Sequence, residues 1–406
     1  MKRNYFNVKG ALMQTVGIIS EYNPFHNGHD HQVQEIKRSL QPDAIVAVMS
    51  GSFLQRGEPA LLDKWTRTKL ALASGIDVVI ELPFRFAVSA AHEFAYGGVA
   101  TLAQTGVDAI SFGSENGQST SFQQAAEQYV VSEEAIQQKA RTLLETGISY
   151  PRAFNEAFQQ AVDTELLISE PNNSLGFHYA VANEKLGRPL DIHTVLRKQA
   201  HYHDPALYGT IASATAIRRA LFQKEQENIE HVVPKSTFDT LQQYEQHTTR
   251  FGKWDHFYPF LRFLLLRNAP ETLGSTFLMR EGIEHRMVAA ASECETFASF
   301  MQFVKTKRFT WTAIQRMLVH LLVGTPSDPP HTIQYARVLG FSDIGREWLK
   351  INNPKRAIPL ITNVKQVSDE QLALDCRATS LYAQVMNSPN HCRSIHVDYA
   401  MPPVRL

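Results

Sequence analysis

Two imidazoles bracket an Asn-Gly pair in His26-Asn27-Gly28-His29, and His31 follows two positions later. Imidazoles this close together can ligate a metal, donate hydrogen bonds to phosphate oxygens, or merely share a solvated loop. A metal needs a third strong ligand, and His31 falls on another face of any helix begun here. A phosphate needs only donors and a helix start, because a helix N-terminus exposes unpaired N–H groups and about half a positive charge. Gly28 has no Cβ and lets a nucleotide approach the backbone. The two imidazoles would then stabilise charge that grows during phosphoryl transfer. A second stretch, Ala212-Ser213-Ala214-Thr215-Ala216-Ile217-Arg218, has the same logic. Ser213 suits an N-cap, and its hydroxyl and that of Thr215 join the free N–H groups in an anion cradle. Arg218, about one turn on, brings a forked set of donors. Either stretch alone also reads as an ordinary capped helix; two such starts in one domain point to a polyphosphate.

Both motifs need rigid elements to aim them, and the first half of the chain supplies a repeating pattern. Apolar runs at Thr15–Ser20, Ala44–Met49, Asp77–Leu82 and Ala109–Phe112 read as strands, with helices over about 27–40, 63–74 and 90–102 between them. Continuous apolar strands alternating with helices predict a Rossmann-like parallel sheet covered on both faces. Ligands of such sheets bind beyond the carboxyl ends of the strands. The polar clusters Asn23–His29, Ser50–Gly57 and Gly113–Asn116 all fall there. In the second cluster, Ser52 and Gln55 can hydrogen-bond, and Arg56 can grip a carboxylate or phosphate bidentately. Asp63, Lys64 and Arg67 read either as part of that site or as a solvated helix face. Ile192–Arg197 reads as a further strand.

The 406 residues exceed one ordinary core. The expected fold class is α/β: a nucleotide-binding domain over 13–222, a Gln/Glu-rich polar linker over 223–250, and a mainly α-helical region over 251–406. Helical periodicity in that region is clearest at Gly282–Ala291, Thr310–Val323 and Gln371–Val385. Residues 1–12 read as an extension before Met13. The run F-Y-P-F-L-R-F-L-L-L-R is broken by Arg262 and is too short for a membrane span. Cys294, Cys376 and Cys392 have neither disulfide-framework nor zinc-ribbon spacing, which fits a reducing cytoplasm. Net charge is zero, but from Arg250 onward 19 Lys and Arg face 13 Asp and Glu, a mildly basic half that permits an anionic partner.

The paired motifs resemble the HIGH-type nucleotidyltransferase superfamily, H-x-G-H first and an I-S-S-T-x-I-R-like turn last. This chain carries Ala212 and Ala214 where that turn has Ile and Ser, one hydroxyl fewer. The strings G-I-I-S-E-Y-N-P-F-H-N-G-H, V-M-S-G-S-F-L-Q-R-G-E-P-A, D-V-V-I-E-L-P, F-G-S-E-N and P-N-N-S-L-G are similar to the bacterial tRNA(Met) cytidine acetate ligases. So are K-R-F-T, R-V-L-G-F and D-C-R-A-T-S-L-Y, which extends the resemblance from Thr15 to the C-terminus.

The resemblance implies a ligase that turns ATP and acetate into acetyl-adenylate and acetylates the wobble cytidine of elongator tRNA(Met). It implies catalytic roles for His26, His29, Ser213 and Arg218. It also implies ATP contacts along Val16, Gly17, Ile18, Ile19, Ser20, Glu21, Tyr22, Asn23, Pro24, Phe25, His26, Asn27, Gly28 and His29. Further ATP contacts would come from Gly113, Asn172 or Asn173, Arg197, Ser213, Thr215 and Arg218. Ser52, Gln55 and Arg56 would meet acetate or the target base. The tRNA backbone would meet Lys305, Lys307, Arg308 and Arg316, with Arg346, Lys350, Lys355 and Arg356 as further candidates. Mg2+ is expected with the triphosphate, without a protein carboxylate cluster to hold it. The alternatives are a small-molecule adenylyltransferase of cofactor synthesis and a non-catalytic, nucleotide-responsive RNA-binding protein.

Overall fold

The computed structural model describes residues 13–148, 150–197, 209–248, 250–386 and 396–406. Residues 1–12, the stretch Lys198–Asp204 and Cys392 lie outside them. Five parallel strands, β1 (Thr15–Ser20), β2 (Ala44–Ser50), β3 (Val78–Leu82), β4 (Ala109–Ser114) and β5 (Asp191–Leu196), stand in the order β5-β4-β1-β2-β3. The chain steps outward from β1 to β2 and β3, then crosses back to place β4 on the other side. The switch point between β1 and β4 therefore opens a crevice at their carboxyl ends.

Side chains alternate across the strands and build two cores. Val46, Val48 and Ile80 face α4 (Ala91–Gln104), α5 (Ser119–Glu145), α6 (Tyr150–Ala161) and α7 (Pro171–Lys185). Ile45, Ala47, Met49 and Val79 face the opposite layer, formed by α1 (Asn27–Ser39), α2 (Lys64–Ala73), α8 (Ala214–Phe222) and α9 (Lys235–Thr248). The short α3 (Phe84–Ala87) follows β3.

Residues 223–250 are not a free linker. A 3-10 turn over Gln226–Val232 leads into α9, and Ile229, Val232, Val233, Leu241 and Tyr244 are buried in the second layer. Widely spaced apolar residues among glutamines and glutamates gave this stretch a polar reading, although one face packs.

The C-terminal region is helical as expected, with α10 (Trp254–Arg267), α11 (Pro270–Gly274), α12 (Ile283–Glu293), α13 (Phe297–Val304) and α14 (Trp311–Val323). It then returns to the sheet. β6 (Ala336–Phe341) pairs antiparallel with β3, and β7 (Leu360–Ile361) and β8 (Val404–Arg405) pair with β6, making eight strands. R-V-L-G-F forms most of β6, a strand that helical periodicity on either side had masked. The remaining helices are α15 (Asp343–Ile351), α16 (Glu370–Met386) and α17 (Val397–Ala400).

A buried ionic cluster locks this return. Lys64 of α2 lies 2.7 Å from Glu81 of β3 and 3.0 Å from Asp398 of α17. Arg337 of β6 lies 3.2 Å from Glu81 and 2.9 Å from Asp398. The Lys64 and Arg337 side chains are 1% and 3% exposed, so Lys64 belongs to no solvated helix face. Two cations and two anions balance. Burial alone would raise the Asp398 carboxyl, but Lys64 and Arg337 hold it down at about 2. Removing one member leaves an uncompensated charge in the interior. Asp398→Ala should cost about 3–5 kcal/mol of stability, read as the loss in urea-unfolding free energy; a change within experimental scatter would show that the cluster contributes nothing.

Candidate active site

A cleft of about 390 Å3 opens at the carboxyl ends of β1, β4 and β5, and both anion-type turns line it: His26, Gly28 and His29 on one side, Ser213, Ala214, Thr215 and Arg218 on the other. They are tied together by Asn27, whose Nδ2 donates to the Thr210 carbonyl at 2.8 Å and the His231 carbonyl at 3.0 Å. Asn27 therefore sets the spacing between the turns and does not line the cleft.

His26 caps α1 in an extended conformation, and its Nδ1 accepts from Gly28 N at 3.1 Å. His29 Nδ1 accepts in turn from His26 N at 3.3 Å, and the two rings stack with centroids 3.8 Å apart. A ring whose Nδ1 accepts a backbone N–H must, when neutral, carry its proton on Nε2. Burial, with Arg197 and Arg218 nearby, pushes His26 down to about 3. Burial first, then His26 and Arg197, pushes His29 well below the ordinary imidazole value. Both rings are thus uncharged donors near neutral pH. Gly28 is required by the cap itself: a Cβ there would lie 2.9 Å from the His26 ring.

Ser213 caps α8, its Oγ accepting from Ala216 N at 3.1 Å, which leaves the hydroxyl proton for a ligand. Arg218 spans the cleft wall, donating to the Asn23 carbonyl at 3.0 Å and approaching Glu58 at 3.2 Å. Burial raises the Glu21 carboxyl, whose Oε1 accepts from Gln55 N at 2.7 Å. From the other side, Arg197 donates to Asn172 Oδ1, and burial lowers its guanidinium. Gly113 lies under Arg197, 3.4 Å from the nearest side-chain carbon to the site of a Cβ.

The two asparagines part ways. Asn172 lines the cleft. Asn173 is buried, accepting from Glu115 N at 3.1 Å and donating to Glu170 at 2.8 Å. Of the β1 segment, Ile19, Ser20, Glu21, Tyr22 and Asn23 line the cleft, whereas Val16, Gly17, Ile18, Pro24 and Phe25 do not. Val16, Ile18 and Phe25 are core.

In the 50–60 loop, Gln55 and Arg56 line the cleft, but Ser52 is buried and stands outside it. This loop is gripped by the helical region. Trp254 Nε1 donates to the Gly57 carbonyl at 2.9 Å, Tyr382 OH to the Ala60 carbonyl at 2.8 Å, and Arg316 to the Gln55 carbonyl at 3.3 Å. Gly57 has φ +74° and abuts Gln315 and Arg316 so closely that no Cβ fits. Arg316, expected on an RNA-facing surface, is half-buried against this loop, and burial lowers it to about 10. Lys305, Lys307 and Arg308 are exposed, as are Arg346 and Lys350. Lys355 pairs with Asp108 at 2.5 Å, at the amino end of β4 and so away from the cleft. Arg356 is half-buried and bonds Asn353.

Sequence reasoning missed Glu58, the partner of Arg218, and Glu115, whose carboxylate accepts from Asn173 N at 2.9 Å. Both sit in strings quoted for their resemblance, Glu115 directly after β4 and Glu58 in the loop that follows β2. It also left Arg67 open; that side chain is fully buried and holds the strand ends together.

A family model described as HIGH nucleotidyl transferase matches residues 13–396, the class that the sheet and its crevice define. A tRNA(Met) cytidine acetate ligase of Lysinibacillus sphaericus (strain C3-41) is 38% identical over 402 residues, covering 97% of this chain and 100% of the relative. One from Geobacillus sp. (strain WCH70) is 39% identical over 399 residues, with the same coverage. Among solved structures, Thermotoga maritima TmcAL bound with alpha-thio ATP superposes with a TM-score of 0.87 at 30% identity, covering 97% of this chain and 100% of that one. The chain belongs to the HIGH nucleotidyl transferases and, within them, to the tRNA(Met) cytidine acetate ligase family.

The depressed His26 sets a pH dependence. The unfolded chain binds a proton near 6.5 and the folded chain only near 3, so the unfolded state holds more protons between these values. Stability contributed by the neutral ring therefore falls as pH drops through that window. His26→Asn, which keeps a capping side chain, should show a shallower loss of urea stability from pH 7 to pH 5 than the parent chain. Identical slopes would mean that His26 titrates normally.

Proposed function

We propose that this chain is an ATP-dependent ligase that makes acetyl-adenylate and acetylates the exocyclic amine of the wobble cytidine in elongator tRNA(Met). The observation that carries the reading is the meeting of two capped helix starts in one cleft, in a chain similar from end to end to ligases of that name. Acetate and a triphosphate repel each other, so the site's work is positioning and charge stabilisation. The Nε2–H groups of His26 and His29, the hydroxyls of Ser213 and Thr215, the first amides of α8, and Arg218 are the donors for the triphosphate. Arg197 and Asn172 close the opposite wall. Arg56, with Gln55, both in the cleft lining, would take the acetate carboxylate or the incoming base.

In the first step an acetate oxygen bonds to the α-phosphorus and the bridging P–O bond breaks, releasing pyrophosphate. In the second, the cytidine N4 bonds to the acetyl carbon, the bond to the AMP oxygen breaks, and the amine loses a proton. That amine is a weak nucleophile because its lone pair is shared with the ring. A mixed anhydride in a water-poor cleft compensates for that weakness.

Among the described residues no group of three His, Cys, Asp or Glu side chains could hold a metal ion. The cleft carboxylates Glu21 and Glu58 are engaged with Gln55 N and Arg218. Mg2+ accompanying ATP would be held by the nucleotide, and no step here runs through it. No helix among the described residues is long and apolar enough to cross a membrane. The proposed tRNA substrate sets the site of action in the cytoplasm.

The test is acetate-dependent exchange of labelled pyrophosphate into ATP, followed by mass analysis of tRNA(Met) nucleosides. Exchange should occur and N4-acetylcytidine should appear; folded, ATP-binding protein that gives no exchange overturns the reading. His29→Ala should lower exchange about 100- to 1000-fold while tRNA binding persists; equal loss of both would make His29 structural.

A further inference from the structure

Trp311 opens α14 and is 40% exposed, while Trp65, Trp254 and Trp348 are at 5%, 6% and 0%. Thr310 caps the helix, its Oγ1 accepting from Ala313 N at 3.2 Å, so the indole stands on a fixed first turn. Residues four apart share a helix face. Trp311 therefore lies on the stripe of Gln315, the buried residue that abuts Gly57 of the catalytic loop. Arg316, next along, holds the Gln55 carbonyl. From Trp311 to Arg316 the axis advances only ~7.5 Å. The exposed indole is thus about one helical turn beyond the loop that carries Gln55 and Arg56 to the cleft.

The connection that leads to that indole is basic. Lys305, Lys307 and Arg308 precede it on the exposed connection from α13, and Arg280 lies over the Phe309 ring at 5.8 Å. Arg308 meets Glu281 at 3.3 Å, but both are exposed and such a pair holds little. An aromatic face interleaved with cations is the chemistry that binds unpaired nucleic acid: cations track the phosphates and the ring stacks a base. A protein partner would have less use for an exposed ring set at the end of so basic a connection.

Resting on the ligase reading above, we propose that Trp311 stacks on the base next to the target cytidine and so positions the RNA loop over the cleft. A cytidine whose amine enters a pocket must leave its stack, and its neighbour loses a stacking surface. The indole replaces that surface one turn from where the reacting base enters. The cations before it hold the adjoining phosphates.

The experiment uses the full chain and an unmodified elongator tRNA(Met) transcript. Titration should quench the intrinsic fluorescence, since only Trp311 is accessible for stacking, and the quench should vanish in Trp311→Phe. Trp311→Ala should raise KM for the transcript roughly tenfold or more, with a smaller change in kcat. Acetate-dependent pyrophosphate exchange, which needs no RNA, should hold. Trp311→Tyr should recover most of the affinity. An unchanged KM in Trp311→Ala, equal losses in the Ala and Tyr variants, or a parallel fall in exchange would overturn the proposal. Failure of the ligase reading shows separately, as absent exchange in the parent chain, because the quench requires neither ATP nor acetate.

Discussion

One buried guanidinium holds the mouth of the cleft in shape. Arg67 donates to the carbonyls of Glu21 at 2.8 Å, Ser50 at 2.9 Å and Leu62 at 3.0 Å, and also to that of Gly51. These are the carboxyl ends of β1 and β2 and the end of the loop that leaves β2. Strand ends ordinarily leave carbonyls without partners, and a buried carbonyl without one costs about as much as a lost hydrogen bond. A single planar fork of donors satisfies four of them and fixes the two strand ends relative to each other. The imidazole turn after β1 and the Gln55–Arg56 loop after β2 are each aimed from that base.

The second constraint is that the loop after β2 belongs to both halves of the chain. Phe53, Leu54 and Ala60 lie in the same apolar core as residues of α10, α12, α13, α14 and α16. The hydrogen bonds from Trp254, Tyr382 and Arg316 then fix its backbone. The helical region therefore shapes the cleft as well as extending it. With β6 completing the sheet and the ionic cluster fastening β6 and α17 to α2 and β3, sheet and helices form one continuous packing.

Much of this was legible in the sequence because the relevant signals are local. Apolar runs of strand length separated by helical spacing gave the five parallel strands, and Ser213 and the H-x-G-H turn marked the helix starts by their capping chemistry. What stayed hidden depends on contacts distant in the chain. Lys64 and Arg67 have the composition of a solvated face, and two of the partners that bury Lys64, Thr379 of α16 and Asp398 of α17, lie far along the chain. Arg316 looked like an RNA contact because charge is visible in a sequence and the loop packed against it is not. Between Asn172 and Asn173, identical neighbours, the choice is made by Glu170 and by the end of β4.

The pair of uncharged imidazoles bears on how the reaction ends. Because backbone amides occupy their Nδ1 atoms and burial keeps them neutral, they offer a polyanion dipoles in place of full positive charges. Dipoles suffice to orient a bound triphosphate, and they bind less tightly than ammonium or imidazolium groups once the chain of phosphates is severed. On the proposed reading Arg218 supplies the full positive charge, and the two rings, locked in one tautomer, add orientation without adding more.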